Sequence, residues 1–249
     1  MDNDDRPLGR ILRRREVLAL FGGSSAAMLA ACAPTGAQSG STANPVNTPA
    51  ATLAAASPAA AALPSCIVRP AMTEGPYFVD EKLNRSDIRE SKPGTPFVLT
   101  FNVSRVSGGA CTSLAGAQID VWHCDAAGVY SDATDPSFNT KGQKFLRGYQ
   151  MTDASGKATF TTIYPGWYGG RAVHIHFKIR VANSEFTSQL FFDDALNAQV
   201  FATAPYSQKG AAWLKNAQDG IYTGGGDKLL LKPSQSSSGF TATFDIGLA

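Results

Sequence analysis

Residues 173–181 read Val, His, Ile, His, Phe, Lys, Ile, Arg, Val, with apolar side chains at every odd position and polar or charged ones at every even position. Side chains of a strand alternate faces with a period of two, so this run is a β-strand with one face turned to a core. Val173, Ile175, Phe177, Ile179 and Val181 form that face, and His174 and His176 point together to the other side. The chain has three histidines, so two of them on one strand face narrow what that face can do. Neighbouring imidazoles on a strand can share one ion at roughly 2.0–2.1 Å per nitrogen. The strand alone leaves a second reading open: an exposed polar face that happens to carry two histidines.

The same alternation recurs along the chain. Strands are expected at 97–107, 117–124, 148–152, 157–163, 172–182, 186–192 and 239–246, separated by Gly, Asp, Asn, Ser and Pro. In the last of these, Phe240, Ala242, Phe244 and Ile246 alternate with Thr241, Thr243 and Asp245. Many short alternating strands with turn residues between them predict an all-β fold, an antiparallel β-sandwich in a single domain. Helix signals are weak, with short turns expected around 193–202 and 210–216. Residues 131–147 are polar and irregular, and a loop of that length commonly lines a site.

The domain is expected to begin only near residue 66. Arg13-Arg14-Arg15-Glu16-Val17-Leu18 precedes an apolar run from Val17 to Ala31, shorter than the roughly 20 residues a membrane-spanning helix needs. Basic residues, a short apolar run and then small residues make residues 1–31 an export signal, with paired arginines of the twin-arginine type. Leu29-Ala30-Ala31-Cys32 resembles a bacterial lipoprotein cleavage box, which would make Cys32 a lipid attachment site; cleavage elsewhere within 26–45 without a lipid is the alternative. Residues 33–68 carry no charge and are mostly Ala, Pro, Ser, Thr and Gly, interrupted by Pro45, Pro49, Pro58 and Pro64. Such a stretch has little to bury, so residues 32–65 are expected to be a disordered tether. The expected location is periplasmic or at the cell surface, with membrane contact only through the lipid anchor.

Residues 66–249 form the remaining unit, long enough for one domain with a real core. Without residues 1–31 the chain keeps 17 basic and 16 acidic residues, a balance that does not favour nucleic acid. An exported chain can form disulfides. Cys66 at the domain edge and Cys111 in an expected loop are the candidate pair, and Cys124 at a strand end is read as a buried thiol. Three cysteines allow three pairings, and the sequence does not choose among them.

Just upstream of the histidines, Tyr164-Pro165-Gly166-Trp167-Tyr168-Gly169-Gly170-Arg171 adds two phenols and a permanent cation. Imidazole with phenolate is a ligand set for a hard, oxidised ion, and Fe(III) fits it best. The third histidine, His123, shares a strand face with Ile119 and Val121, so it is read as a core histidine with its hydrogen bonds satisfied.

These segments, with Glu74-Gly75-Pro76-Tyr77, Ala117 to Ser131, Phe145-Leu146-Arg147-Gly148-Tyr149 and Thr187 to Phe192, resemble the intradiol ring-cleaving dioxygenases over about 74–192. That family comprises the protocatechuate 3,4-dioxygenases and catechol 1,2-dioxygenases. The resemblance implies a non-haem Fe(III) held by Tyr130, Tyr168, His174 and His176, with Tyr168 and His176 axial and Tyr168 leaving when substrate binds. It implies that Arg171 stabilises charge building on the substrate ring and that Gln189 hydrogen-bonds in the same pocket. Pro76 and Tyr77 would border the substrate ring, while Trp167 is either a pocket wall or a core residue. The implied partners are a small aromatic diol and O2, and the product a muconate-type dicarboxylate carrying both oxygen atoms. Residues 33–68 are too proline-broken to supply the helical region that pairs subunits in catechol 1,2-dioxygenases, so a homo-oligomer would need another interface. Two other readings stay open: a surface-tethered binding module without chemistry, and a copper or zinc protein built on the same His-x-His.

Overall fold

The computed structural model describes residues 67–249. The expected export signal, Cys32, the linker and Cys66 lie outside the described residues.

Among the described residues the strands are β1 (Pro96–Ser107), β2 (Ala110–Ser113), β3 (Gln118–Trp122), β4 (Thr134–Asp135), β5 (Phe138–Asn139), β6 (Arg147–Met151), β7 (Lys157–Ile163), β8 (His174–Val181), β9 (Ser184–Phe191), β10 (Ser234–Ser236) and β11 (Gly239–Leu248). Helices are short: α1 (Asp194–Phe201), α2 (Gly220–Thr223) and three 3-10 turns. Each expected strand is present, with ends shifted by a few residues at most. The loop expected at 131–147 contains the small β4–β5 hairpin, and Cys111 lies on β2 rather than in a loop. Cys111 is disulfide-bonded; Cys124 is a buried free thiol, and burial pushes it up to about 12.

Two sheets face one another. The first runs β10-β11-β1-β2, with β7 also paired to β1; the second runs β6-β3-β8-β9. Every ladder between these strands is antiparallel except β1 with β11, which is parallel from Phe97↔Phe240 to Arg105↔Leu248. Odd-numbered residues of β8 meet the first sheet: Phe177 packs on Phe101 at 5.2 Å and on Phe244 at 5.6 Å between ring centroids. Ile119, Val121, Ile175 and Ile179 complete this layer from the second sheet, and Phe97, Leu99, Phe160 and Ile246 from the first. Burying each such side chain contributes about 1.5–3 kcal/mol, which makes this interior the main source of stability.

The outer face of the second sheet is covered as well. Residues 72–88 run across it as a strap, tied by Met72 N–H to Thr187 O (3.0 Å), Tyr149 N–H to Leu83 O (2.8 Å) and Ile88 N–H to Thr161 O (3.0 Å). Lys178 Nζ pairs with the Glu74 carboxylate and lies 4.1 Å from the centre of the Phe78 ring, while Arg180 pairs with Asp80 at 3.1 Å. The even-numbered face of β8, which carries both histidines, is therefore buried under the strap.

Candidate metal centre

Two loops bring phenols to the buried histidines. Asp125 builds the first: its Oδ1 accepts the N–H groups of Ala127 and Val129 at 3.0 Å each. Gly128 adopts φ +81°, and a Cβ there would lie 2.0 Å from Trp167 O, so only glycine lets the two loops touch. This turn delivers Tyr130, which is fully buried. The second loop runs from Tyr164, whose hydroxyl donates to Asn197 Oδ1 at 2.6 Å and whose carbonyl accepts from the Tyr206 hydroxyl at 2.7 Å. Tyr164 is thus a core anchor, and the loop beyond it carries Tyr168, which is only half-buried. Gly166 N–H donates to Asp125 O at 3.2 Å and joins the two loops.

Four rings converge here. His174 Nε2 and His176 Nε2 are 3.0 Å apart, and the Tyr130 hydroxyl is 3.5 Å from His174 Nε2. Ring centroids lie 5.5 Å apart for Tyr130 and Tyr168, and 5.7 Å for Tyr168 and His174. His174 Nδ1 is 2.6 Å from Ala172 O. A carbonyl only accepts, so Nδ1 carries the proton and Nε2 presents a lone pair. Trp122 stacks on His176 at 5.0 Å, and His176 Nδ1 is buried without a partner among the described residues.

Burial, aided by Arg171, pushes His174 down to about 3, and burial pushes His176 well below the ordinary value, so both imidazoles are neutral. Burial raises Tyr130 well above its ordinary value; Tyr168 is raised too, against the opposing pull of Arg171. Left to themselves these are two neutral phenols and two neutral imidazoles. A multivalent cation would reverse that balance by favouring the phenolates. Two nitrogens 3.0 Å apart are within reach of one ion bonded at about 2.0–2.1 Å to each. Among the described residues no three His, Cys, Asp or Glu side chains gather to hold a metal, so the phenols are what complete a donor set here. Phenolate oxygen with imidazole nitrogen suits a hard ion such as Fe(III).

Charged and aromatic groups frame the quartet. Arg171 donates through Nε to Asp219 Oδ2 at 3.0 Å and through Nη2 to Gln189 Oε1 at 2.6 Å; Gln189 Nε2 then donates to Thr73 O at 2.9 Å. Tyr77 stacks on Tyr130 at 4.4 Å, and its hydroxyl donates to Asp135 Oδ2 at 2.7 Å. Pro76 is exposed on the turn before it. Trp167 packs against the main core, with Lys209 Nζ 4.3 Å from the ring centre, and not among the site's own rings. His123 is satisfied on the opposite side: Nδ1 is 2.8 Å from Cys124 O and Nε2 is 2.7 Å from Thr162 Oγ1.

Sequence reasoning assigned no role to four residues at this site: Asp219, Asp135, Trp122 and the buried Arg147, although Trp122 and Arg147 stand within the segments that carry the family resemblance. Arg147 Nε donates to Ser131 Oγ at 2.7 Å and Nη1 to Tyr77 O at 3.1 Å, tying the residue after Tyr130 to the strap residue that stacks on it. Only Asp219 carried a local signal, an N-cap residue followed by Gly220 and Ile221. The others are brought in by tertiary contacts.

The sandwich and this mixed phenol–imidazole donor set define a class of β-sandwich protein suited to a hard metal ion. A family model described as a dioxygenase matches residues 73–246. An intradiol ring-cleavage dioxygenase from Tetranychus urticae superposes with a TM-score of 0.67 at 31% identity, covering 74% of this chain and 94% of that one. The dioxygenase domain of a dioxygenase–carbohydrate-binding fusion from Streptomyces sp. SirexAA-E superposes with a TM-score of 0.54 at 28% identity, covering 73% and 98%. A protocatechuate 3,4-dioxygenase beta chain from Burkholderia cepacia is 30% identical over 125 residues, 46% of this chain and 52% of that one. Catechol 1,2-dioxygenase 1 from Acinetobacter lwoffii is 28% identical over 133 residues, 44% and 41%. The chain spans about half the length of the curated relatives it matches. It belongs to the intradiol ring-cleavage dioxygenase family, whose members use a non-haem ferric ion.

Proposed function

We propose that this protein is an active intradiol dioxygenase that inserts both atoms of O2 into a catechol-type diol and releases a muconate-type dicarboxylate. One observation carries the reading: two facing imidazole nitrogens 3.0 Å apart beside the buried phenol of Tyr130. Tyr130, Tyr168, His174 and His176 would hold the Fe(III). When bound, the ion would supply Lewis acidity and make a diolate reactive toward O2. The residues do the rest. Tyr130 is fully buried and Tyr168 half-buried, so Tyr168 is the phenol that can move aside, its Oη taking one hydroxyl proton from the entering diol. Arg171 lies beside Tyr168, where its guanidinium stabilises negative charge building on the ring. Gln189 holds one end of that guanidinium. Tyr77 and the strap shield the pocket from water.

The test is purification with iron, metal analysis, a visible spectrum and O2 uptake over a panel of catechol, protocatechuate, hydroxyquinol and substituted diols. Stoichiometric iron, a red protein and one O2 consumed per diol cleaved are expected. A colourless protein that takes up no iron on reconstitution overturns the reading. Zinc or copper bound in its place would favour a different His-x-His protein, and iron binding without turnover a binding module.

Export is part of the same proposal. The arginines at 13–15, the short apolar run and Leu29-Ala30-Ala31-Cys32 support twin-arginine export and a lipid on Cys32. The uncharged 32–65 stretch would then tether the domain to the membrane surface. Metabolic labelling with palmitate, lost in Cys32→Ala, is the check; an unlabelled wild-type chain removes the anchor from the proposal.

A further inference from the structure

Arg171 is held from two sides, and the two anchors differ. Gln189 is itself tied to the strap through Thr73 O. Asp219 does more. Its side chain is 2% exposed, and its Oδ2 accepts both Arg171 Nε (3.0 Å) and Ala172 N–H (2.8 Å). Ala172 O in turn accepts His174 Nδ1 at 2.6 Å. A single carboxylate oxygen therefore fixes the arginine head and the backbone that sets the tautomer and tilt of one imidazole. The other oxygen, Oδ1, accepts Ile221 N–H at 2.7 Å and caps α2. Capping alone needs no second oxygen and no charge, since serine and asparagine cap equally well. A buried carboxylate is costly unless partnered, and here its partners are the groups that shape the pocket.

We propose that Asp219 is a positioning residue for this site: it aims Arg171 at the substrate and, through Ala172, holds the His174 ring to face His176. The inference rests on the dioxygenase reading and adds to it a residue that makes no contact with substrate. Because Asp219 also caps α2, the test must separate capping from aiming. Asp219→Ser keeps a capping oxygen and removes the one that reaches Arg171. Its thermal melt is expected within a few degrees of the wild type.

On the iron-loaded full chain, kcat should fall by about 100-fold, the scale of a roughly 1 Å misplacement, with KM changed far less. Because one of its two arms runs through Arg171, the losses of D219S and R171A should combine in the double variant D219S/R171A to clearly less than their product, the remaining loss being the arm through Ala172 and His174. A second readout needs no turnover. In the iron-free, diamagnetic protein the Arg171 Nε–H should give a slowly exchanging 15N NMR signal that disappears in D219S. Wild-type kcat in D219S, or losses that multiply in the double variant, would overturn the proposal. Should D219S fail to fold, D219N takes its place, and failure of both overturns it in favour of a purely structural role. If the wild type cleaves no diol, the dioxygenase reading falls. The NMR signal then decides alone: its loss in D219S sustains the tie to Arg171, and its persistence refutes it.

Discussion

The two faces of β8 are buried to the same degree and differ in how their groups are satisfied. On one face Ile175, Phe177 and Ile179 are at most 1% exposed; on the other His174, His176 and Lys178 are 2%, 1% and 4% exposed. The first face packs into the main apolar core, which is the ordinary resolution of burial. On the second, Lys178 is neutralised by Glu74 and Glu185, whereas the imidazoles face each other and His176 Nδ1 has no partner among the described residues. His123, equally buried, has both nitrogens engaged. Burial therefore does not mark this site; two imidazole nitrogens turned toward each other, 3.0 Å apart, do.

The largest expected effect tests the polar face. His176→Ala removes a nitrogen proposed to hold the ion. Losing an electrostatic contribution of several kcal/mol corresponds to about a thousandfold in rate. Ring cleavage and iron content, measured on the same sample, should fall together, while the iron-free variant still folds. Retained iron with normal turnover would break the distinction between the two faces.

The mirror experiment is on the apolar face. Phe177 fills the space between Phe101, Phe244 and Phe186. Phe177→Ala should cost about 3–5 kcal/mol of stability. Urea denaturation measures it, and iron bound per folded molecule should not change. A stability loss in His176→Ala as large as that in Phe177→Ala would mean that the polar face is structural as well.

Strand positions and faces were legible in the sequence because alternation is local: residues 173–181 and 240–246 specify their own inward sides. The His-x-His pair was legible for the same reason. What covers the polar face was not, because the strap is held by pairings such as Met72 to Thr187 and Glu74 to Lys178, more than a hundred residues apart. The parallel pairing of β1 with β11 escaped for a similar reason: parallel neighbours leave no hairpin turn to read. Asp219 lies 45 to 48 residues beyond His174, Ala172 and Arg171. Trp167 stayed ambiguous between wall and core, and its packing with the core reflects where Lys209 and Gly128 place the loop.

A smaller effect separates the satisfied histidine from the site pair. Burial pushes His123 down to about 4 from 6.5. In the folded protein it stays neutral, while the unfolded chain takes up a proton below 6.5. Its contribution to stability is therefore present above pH 6.5 and lost as pH falls toward 4, up to roughly 3 kcal/mol over that window. His123→Gln should flatten the acid side of the stability curve by one proton's worth of slope, about 1.4 kcal/mol per pH unit. Denaturant titrations at pH 5 and 7 on iron-free protein measure it. An unchanged slope would mean that His123 is not held neutral and that its two hydrogen bonds are looser than the geometry shows.

The finest probe lies where the strap touches the polar face. Gly75 adopts φ +74°, and a Cβ built there would lie 3.1 Å from His176 Cε1. Gly75→Ala therefore meets two costs. The left-handed backbone disfavours any Cβ by about 1–2 kcal/mol, and the methyl presses on the imidazole from the strap side. Trp122 stacks on that ring at 5.0 Å, so the ring cannot yield freely. The expected result is a modest drop in stability together with a shifted visible band in the iron-loaded protein, because the imidazole is displaced while the phenols stay in place. A stability loss with an unchanged spectrum would show that the strap gives way and the ring does not. The strap would then be a cover for the polar face and no part of what holds His176 in position.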